Sequence, residues 1–123
     1  MLGTVDAVRT DLLLGHWLRR YRVDDGFGKP SVAFMLCTFW LVEALAVLGK
    51  TKEARAVMQN IDALQSPLGL LAEDLMPETG EMWGNFPQAY SHAGLIHAAF
   101  AASPSWPEAS GDGSNDCFDE KKT

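Results

Sequence analysis

The chain has 123 residues, 47% apolar and 21% charged, the make-up of one globular segment and of one domain at most; a fibrous, collagen-like or wholly disordered polypeptide is excluded. Sixteen acidic against ten basic side chains leave a formal charge of −6, and no basic cluster exceeds Arg19, Arg20 and Arg22. Nucleic acid is therefore repelled over most of the surface and is not an expected partner.

From Thr4 to about Tyr21, Val5, Val8, Leu12, Leu13, His16 and Trp17 recur at three- and four-residue intervals, which predicts an amphipathic helix. It begins almost at Met1, as though the chain entered in mid-fold. The start lacks a basic region, an apolar core and a small-residue cleavage site, so no secretory signal is expected. Asp24, Asp25, Gly26, Gly28 and Pro30 then make a connection through which no helix continues. Ser31 is the expected N-cap of a second helix, Val32 to Leu48, apolar on nearly every side and stopped by Gly49. Glu43 and Thr38 interrupt that run, which is short for a membrane span and reads as a buried helix; no membrane is expected. A helix apolar all round must be covered all round.

Thr51 and Glu53 open a third helix whose stripe is Ala54, Val57, Met58, Ile61 and Leu64, with Lys52, Arg55 and Asp62 on the opposite face. An inner helix and an outer one joined at Lys50 form the unit of a layered antiparallel helical array. From Ser66 to Gln88, turn signals at Ser66-Pro67-Leu68-Gly69 and Pro77-Glu78-Thr79-Gly80 predict a long ordered loop; it carries Trp83 and Phe86 and leads into Tyr90, and loops of that length are functional or disordered. A last helix, Pro87 to Ala102, presents Tyr90, Ala93, Leu95, Ile96, Ala99 and Phe100. Residues 106–123 read as a disordered tail in which Trp106 and Phe118 have room only to dock weakly. Four helices, one of them apolar on every face, do not close a core. The missing cover comes from another chain or from the rest of a larger domain.

Cys37 in an apolar run and Cys117 in a polar tail make no disulfide framework, so a reducing, cytoplasmic location is expected. His92 and His97 are five apart, matching neither i+3 nor i+4, and His16 is remote. Cys-x-x-Cys, Gly-x-Ser-x-Gly and Walker patterns are all missing, and neither a metal nor a cofactor is expected. Glu73 and Asp74 stand together among leucines. The pattern admits a solvated or capping pair, or a functional carboxyl with a raised pKa. Arg20-Tyr21 at a helix end reads equally as positive charge on the helix dipole, or as a fork of donors beside an aromatic plate that holds a sugar.

The series Arg20-Tyr21-x-x-Asp24-Asp25-x-Phe27-Gly28-x-Pro30, then Ala33-Phe34-x-x-Cys37-Thr38-Phe39-Trp40, then Leu70-Leu71-Ala72-Glu73-Asp74, then Thr79-Gly80 and Gly84-Asn85-Phe86-Pro87-Gln88-x-Tyr90-Ser91, resembles the C-terminal end of bacterial glycoside hydrolase family 15 proteins. These are glucoamylase-like enzymes, some of whose relatives hydrolyse trehalose. The resemblance covers about residues 4 to 105 in one order without a large gap.

It implies an all-α fold, the C-terminal portion of an (α/α)6 barrel (six-hairpin glycosidase-like, an incomplete toroid) over residues 1–105. The active site of such a barrel is built from loops at one mouth. The family cleaves terminal α-glucosidic bonds with inversion through two glutamates, an acid and a base. The base loop, Leu-(Ser/Ala)-Glu-(Glu/Asp/Gln), maps onto Glu73, and the Arg-Tyr pair that reaches substrate hydroxyls maps onto Arg20 and Tyr21. Phe34, Trp40 and Tyr90 match aromatic positions near the pocket or its inner wall, Trp83 is a further sugar-binding candidate, and Asp24 and Asp25 belong at the rim. Ala72 departs from the serine of many relatives, and nothing after Pro107 matches.

Inversion needs two carboxyl groups roughly 6.5–9.5 Å apart. The acid of the family lies upstream of anything in this chain. The implied partners are therefore an α-glucan oligosaccharide or trehalose in the complete enzyme, together with the missing N-terminal part of the barrel, and the chain alone is expected to be inactive. Two other readings of the residues are a non-catalytic helical module that binds a protein through its uncovered faces, and a carbohydrate-binding remnant using Arg20, Tyr21 and Trp83.

Overall fold

The computed structural model describes residues 2–26, 28–64 and 66–104; the expected tail over 106–123 lies outside them. Among the described residues the chain is mostly helical. In order come α1 (Leu2–Leu12), the strands β1 (Leu13–Leu14) and β2 (Trp17–Leu18), β3 (Ala33–Phe34), α2 (Met35–Val47), α3 (Thr51–Asp62), β4 (Asp74–Leu75), β5 (Met82–Trp83) and α4 (Ala89–Ala102). None of these helices is long and apolar enough to cross a membrane.

The first helix is shorter than its periodicity predicts. It ends at Leu12, where the chain turns back as an antiparallel hairpin with Leu13 opposite Leu18 and Leu14 opposite Trp17. Gly15, at φ +63°, occupies the first of the two loop positions, where a type II′ hairpin requires glycine. Trp17 and Leu18 are buried as strand residues instead of on a helix face. Arg20 and Tyr21 consequently follow a strand, so their reading as charge on a helix C-terminus does not hold.

The second helix begins at Met35, three residues later than Val32, and Ser31 does not cap it. Ala33 and Phe34 are instead drawn into pairing with Leu75 and Asp74, and the Met35 N–H donates to the Glu73 carbonyl at 3.0 Å. A backbone acceptor from the long loop thus satisfies a first-turn donor that a side chain would ordinarily take. At the other end Gly49, at φ +76°, closes the helix as expected, its N–H reaching the Ala46 carbonyl at 2.9 Å.

In α3 the expected stripe faces inward, with Ala54 and Ile61 fully buried and Val57, Met58 and Leu64 partly buried against the core. Arg55 lies on the solvent side, yet its Nε donates to the Ala102 carbonyl at 2.8 Å and so caps the end of α4. α2 packs against both α3 and α4, and Phe39, Val42 and Leu45 supply the centre of the core.

The last helix turns a different face inward from the one its large residues suggest. Ser91, Gly94, Ala98 and Ala102 are buried, while Tyr90, Ile96 and Phe100 are 56–80% exposed. The reason is close approach to α2. A Cβ on Gly94 would stand 2.8 Å from Phe39 Cδ2 and 3.0 Å from Leu36 Cδ1, so only small residues fit along that seam. The expected cover around α2 is also incomplete among the described residues, since Trp40 and Val47 are 56% and 72% exposed.

Candidate active site

The loop between α3 and α4 is ordered by hydrogen bonds to the elements around it. Ser66 Oγ accepts from the Leu70 N–H at 2.9 Å. The next two residues are tied to the first turn of α4. The Leu71 carbonyl accepts from the Gln88 N–H at 3.0 Å, and buried Ser91 Oγ donates to the Ala72 carbonyl at 2.6 Å. His92 joins them as the Nδ1–H tautomer, donating to the Gln88 carbonyl at 2.7 Å and accepting the Leu71 N–H at Nε2 at 3.4 Å. Its role is thus to hold the loop; among the described residues no group of three metal-ligating side chains is assembled.

The chain then reaches Glu73, whose main chain links three segments. Its carbonyl accepts from Met35 at the start of α2, and its N–H donates to the Asn85 carbonyl at 3.0 Å. Asp74 and Leu75 pair with β3 on one side and with β5 on the other. The register puts Phe34, Asp74 and Trp83 opposite one another in a single cross-strand row on one face of this small sheet.

A cleft of about 130 Å³ opens beside that row, lined by Arg20, Tyr21, Pro30, Val32, Phe34, Glu73 and Asp74. Arg20 lies over the Phe34 ring, 5.6 Å from its centroid, which orients the guanidinium without using its N–H donors. The Tyr21 hydroxyl donates to Asp25 Oδ2 at 2.6 Å, and that bond, with burial next, raises its pKa. Asp24 Oδ1 accepts from the N–H groups of Gly26 and Gly28 at 2.9 and 3.1 Å, fixing the turn beyond Tyr21.

Glu73 and Asp74 sit in different surroundings. Glu73 Oε2 accepts from Asn85 Nδ2 at 2.8 Å and from the Asn85 N–H at 3.2 Å. Burial, reinforced by the neighbouring Glu73 charge and partly offset by Arg20, pushes Asp74 up from 3.8 to about 6. Both carboxylates crowd the same point: a Cβ on Gly84 would stand 3.1 Å from Glu73 Oε2 and 3.2 Å from Asp74 Oδ2. They are neighbours on one side of the cleft, which is not the arrangement of two groups flanking a scissile bond.

The structure thus brings together Arg20, Tyr21 and Glu73, which are distant in sequence, and adds Phe34 and Asp74. It does not bring in the other aromatic candidates. Trp83 stands at the outer end of the cross-strand row, 51% exposed, and Tyr90 is 64% exposed on the first turn of α4. Neither lines the cleft. Trp40 lies elsewhere, with Val5, Val8, Leu12, Cys37 and Leu41 along an apolar groove of about 360 Å³ between α1 and α2. The hydrogen bonds of Asn85 and the clearance at Gly84 have no counterpart in any spacing pattern; both residues stood in the sequence only as part of a longer match.

The cleft thus presents one carboxylate held by amide donors beside a guanidinium and a phenol. Comparison with known proteins specifies the class. The model of the family described as "Glycosyl hydrolases family 15" matches residues 1–100, and the chain belongs to that family, whose fold is the six-hairpin glycosidase fold. It is 39% identical over 99 residues to a trehalase of Thermoplasma acidophilum, covering 80% of this chain and 17% of the relative. Against a trehalase of Mycolicibacterium smegmatis the identity is 40% over 99 residues, 78% of this chain and 15% of the relative. Trehalase 1 of Sulfolobus acidocaldarius is 30% identical over 97 residues, 79% of this chain and 17% of that protein. The chain thus spans about one sixth of the length of these curated relatives. No solved structure matches it.

Proposed function

We propose that this chain is the closing arc of an (α/α)6 barrel and supplies the general base, Glu73, to the inverting hydrolysis of a terminal α-glucosidic bond, with trehalose as the first substrate to test and α-1,4-glucans as the second. The observation that carries the reading is the single cleft shared by Glu73, Arg20 and Tyr21. In the proposed step a water held at Glu73 gives up its proton as it attacks the anomeric carbon, while Arg20 and Tyr21 hold substrate hydroxyls. The leaving oxygen needs a proton from an acid on the opposite face of the sugar. Asp74 is on the same side as Glu73 and is unsuited to that role, so the acid belongs to the part of the barrel that relatives carry and this chain does not.

The uncovered apolar surface supports the same reading. Trp40, Val47, Ile96 and Phe100 are all more than half exposed, and the α1–α2 groove is lined almost wholly by carbon. Inner helices of a ring would have such faces before the ring is closed. The test is glucose release. The purified chain should release none from trehalose or maltose. Mixed or co-expressed with the N-terminal portion of a family 15 trehalase, it should release glucose, and Glu73→Gln should abolish that release. The exposed faces also fit a non-catalytic helical interaction module. A monomeric chain that melts cooperatively, gains no activity with the N-terminal portion and binds no sugar would select that alternative.

A further inference from the structure

We infer that Asn85 is a positioning residue for Glu73, holding Oε2 so that Oε1 is the oxygen turned toward the reacting water; the inference rests on the reading of Glu73 as the base. The last torsion of a glutamate side chain is broad and roughly two-fold, so an unclamped carboxylate exchanges its oxygens and samples poor angles. Here Asn85 holds Glu73 at both ends. Its carbonyl takes the Glu73 N–H at 3.0 Å, while its own N–H and Nδ2 reach Oε2 at 3.2 and 2.8 Å. Both donors converge on this one oxygen, and among the described residues none donates to Oε1. One carboxylate oxygen is therefore fixed and the other left for chemistry.

Gly84 makes this approach possible. At φ +78° it turns the chain so that Asn85 presents its main-chain and side-chain donors to the same oxygen, and a Cβ there would stand 3.1 Å from Oε2 and 3.0 Å from Glu73 Cβ. Asn85 itself is exposed and does not line the cleft, so it acts through Glu73 and not on the sugar. The main-chain bond from Glu73 to Asn85 already joins the two segments, and the two donors of Asn85 add a hold on the carboxylate itself.

The contact is tested in the full chain, labelled with nitrogen-15. The main-chain and Nδ2 amide signals of Asn85 should both be displaced from their parent positions in Glu73→Gln, and by much less in Asp74→Asn. Signals unmoved by Glu73→Gln, displaced equally by Asp74→Asn, or without a defined position overturn the inference.

The consequence is tested by steady-state kinetics on the chain completed with the N-terminal portion of a trehalase. Asn85→Ala keeps the main-chain donor and should lower kcat on the order of tenfold to 10²-fold, with KM little changed, since small misplacements of a reacting group cost up to that much. Asn85→Asp sets a second carboxylate against Oε2 and should lower kcat further, the more so as pH rises and the new group ionises. Equal losses in the two variants with no pH dependence, or a rise in KM alone, refute positioning. Full activity in Glu73→Gln would sink the base reading, whereas loss in Glu73→Gln with undiminished kcat in both Asn85 variants would sink the positioning role alone.

Discussion

Replacing Gly84 by alanine tests the packing of the site without removing a polar atom. The residue stands at φ +78°, and the added Cβ meets Glu73 Cβ at 3.0 Å, Glu73 Oε2 at 3.1 Å and Asp74 Oδ2 at 3.2 Å. The oxygens can swing aside, but Glu73 Cβ is attached to a main chain held by Met35 and Asn85 and cannot. Gly15 provides the control, because it has φ +63° and nothing within 4 Å of its added Cβ. Alanine at Gly15 should therefore cost only the left-handed backbone, about 1–2 kcal/mol. At Gly84 the same backbone cost is joined by overpacking of about 1–3 kcal/mol, so a loss of about 2–5 kcal/mol is expected. With a urea dependence of about 2 kcal/mol per molar for a small protein, the Gly84→Ala midpoint should fall below the Gly15→Ala midpoint by about 1 M. Urea unfolding of the two variants and the parent chain, followed by circular dichroism, measures this. A Gly84→Ala midpoint equal to or above that of Gly15→Ala would refute the reasoning and with it the close approach of Glu73 to residue 84.

Three further outcomes are expected. Thr38 is fully buried and its Oγ1 accepts the Leu18 N–H at 3.0 Å, so Thr38→Val leaves a buried donor unpaired and should cost about 1–3 kcal/mol in the same unfolding assay; an unchanged midpoint contradicts that bond. Asp74 titrates near 6 in the folded chain against an ordinary 3.8, so its favourable contribution is complete below about pH 4 and is lost as pH rises through about 6. The parent chain should therefore lose stability relative to Asp74→Asn between those pH values, and a difference between the two that stays constant with pH rules out the raised pKa. Phe100 is 80% exposed, so Phe100→Gln should change the stability of the chain alone by no more than about 0.5 kcal/mol. It should nevertheless weaken association with the N-terminal portion of a trehalase in a pull-down titration, and unweakened association would take α4 out of that interface.

Much of what was legible in the sequence is local. Gly49 stops α2 because the left-handed conformation it takes is open to glycine, and the inward stripe of α3 follows from residues three and four apart lying on one side of a helix. Glu73, Arg20 and Tyr21 were legible as candidates through an ordered series of residues matched over most of the chain, and no periodicity singles them out. The helix expected through Trp17 failed because a two-residue turn at Gly15 competes with helical periodicity over the same residues, and both patterns bring Trp17 and Leu18 inward.

The remaining features depended on distant partners. Whether α2 began at Val32 or Met35 was decided by a carbonyl thirty-eight residues away, Glu73 accepting the Met35 N–H. Which face of α4 turned inward was decided by the Phe39 ring, which leaves room at Gly94 for a hydrogen and nothing larger. By itself, then, the sequence determined the helical character, the turns at its glycines and the family of this protein, because those depend on neighbouring residues or on an ordered match. Only the tertiary structure decided that Asn85 grips Glu73, that Asp74 is pushed toward pH 6 and that the large side chains of α4 stay uncovered. Those properties come from distances and burial between segments far apart along the chain.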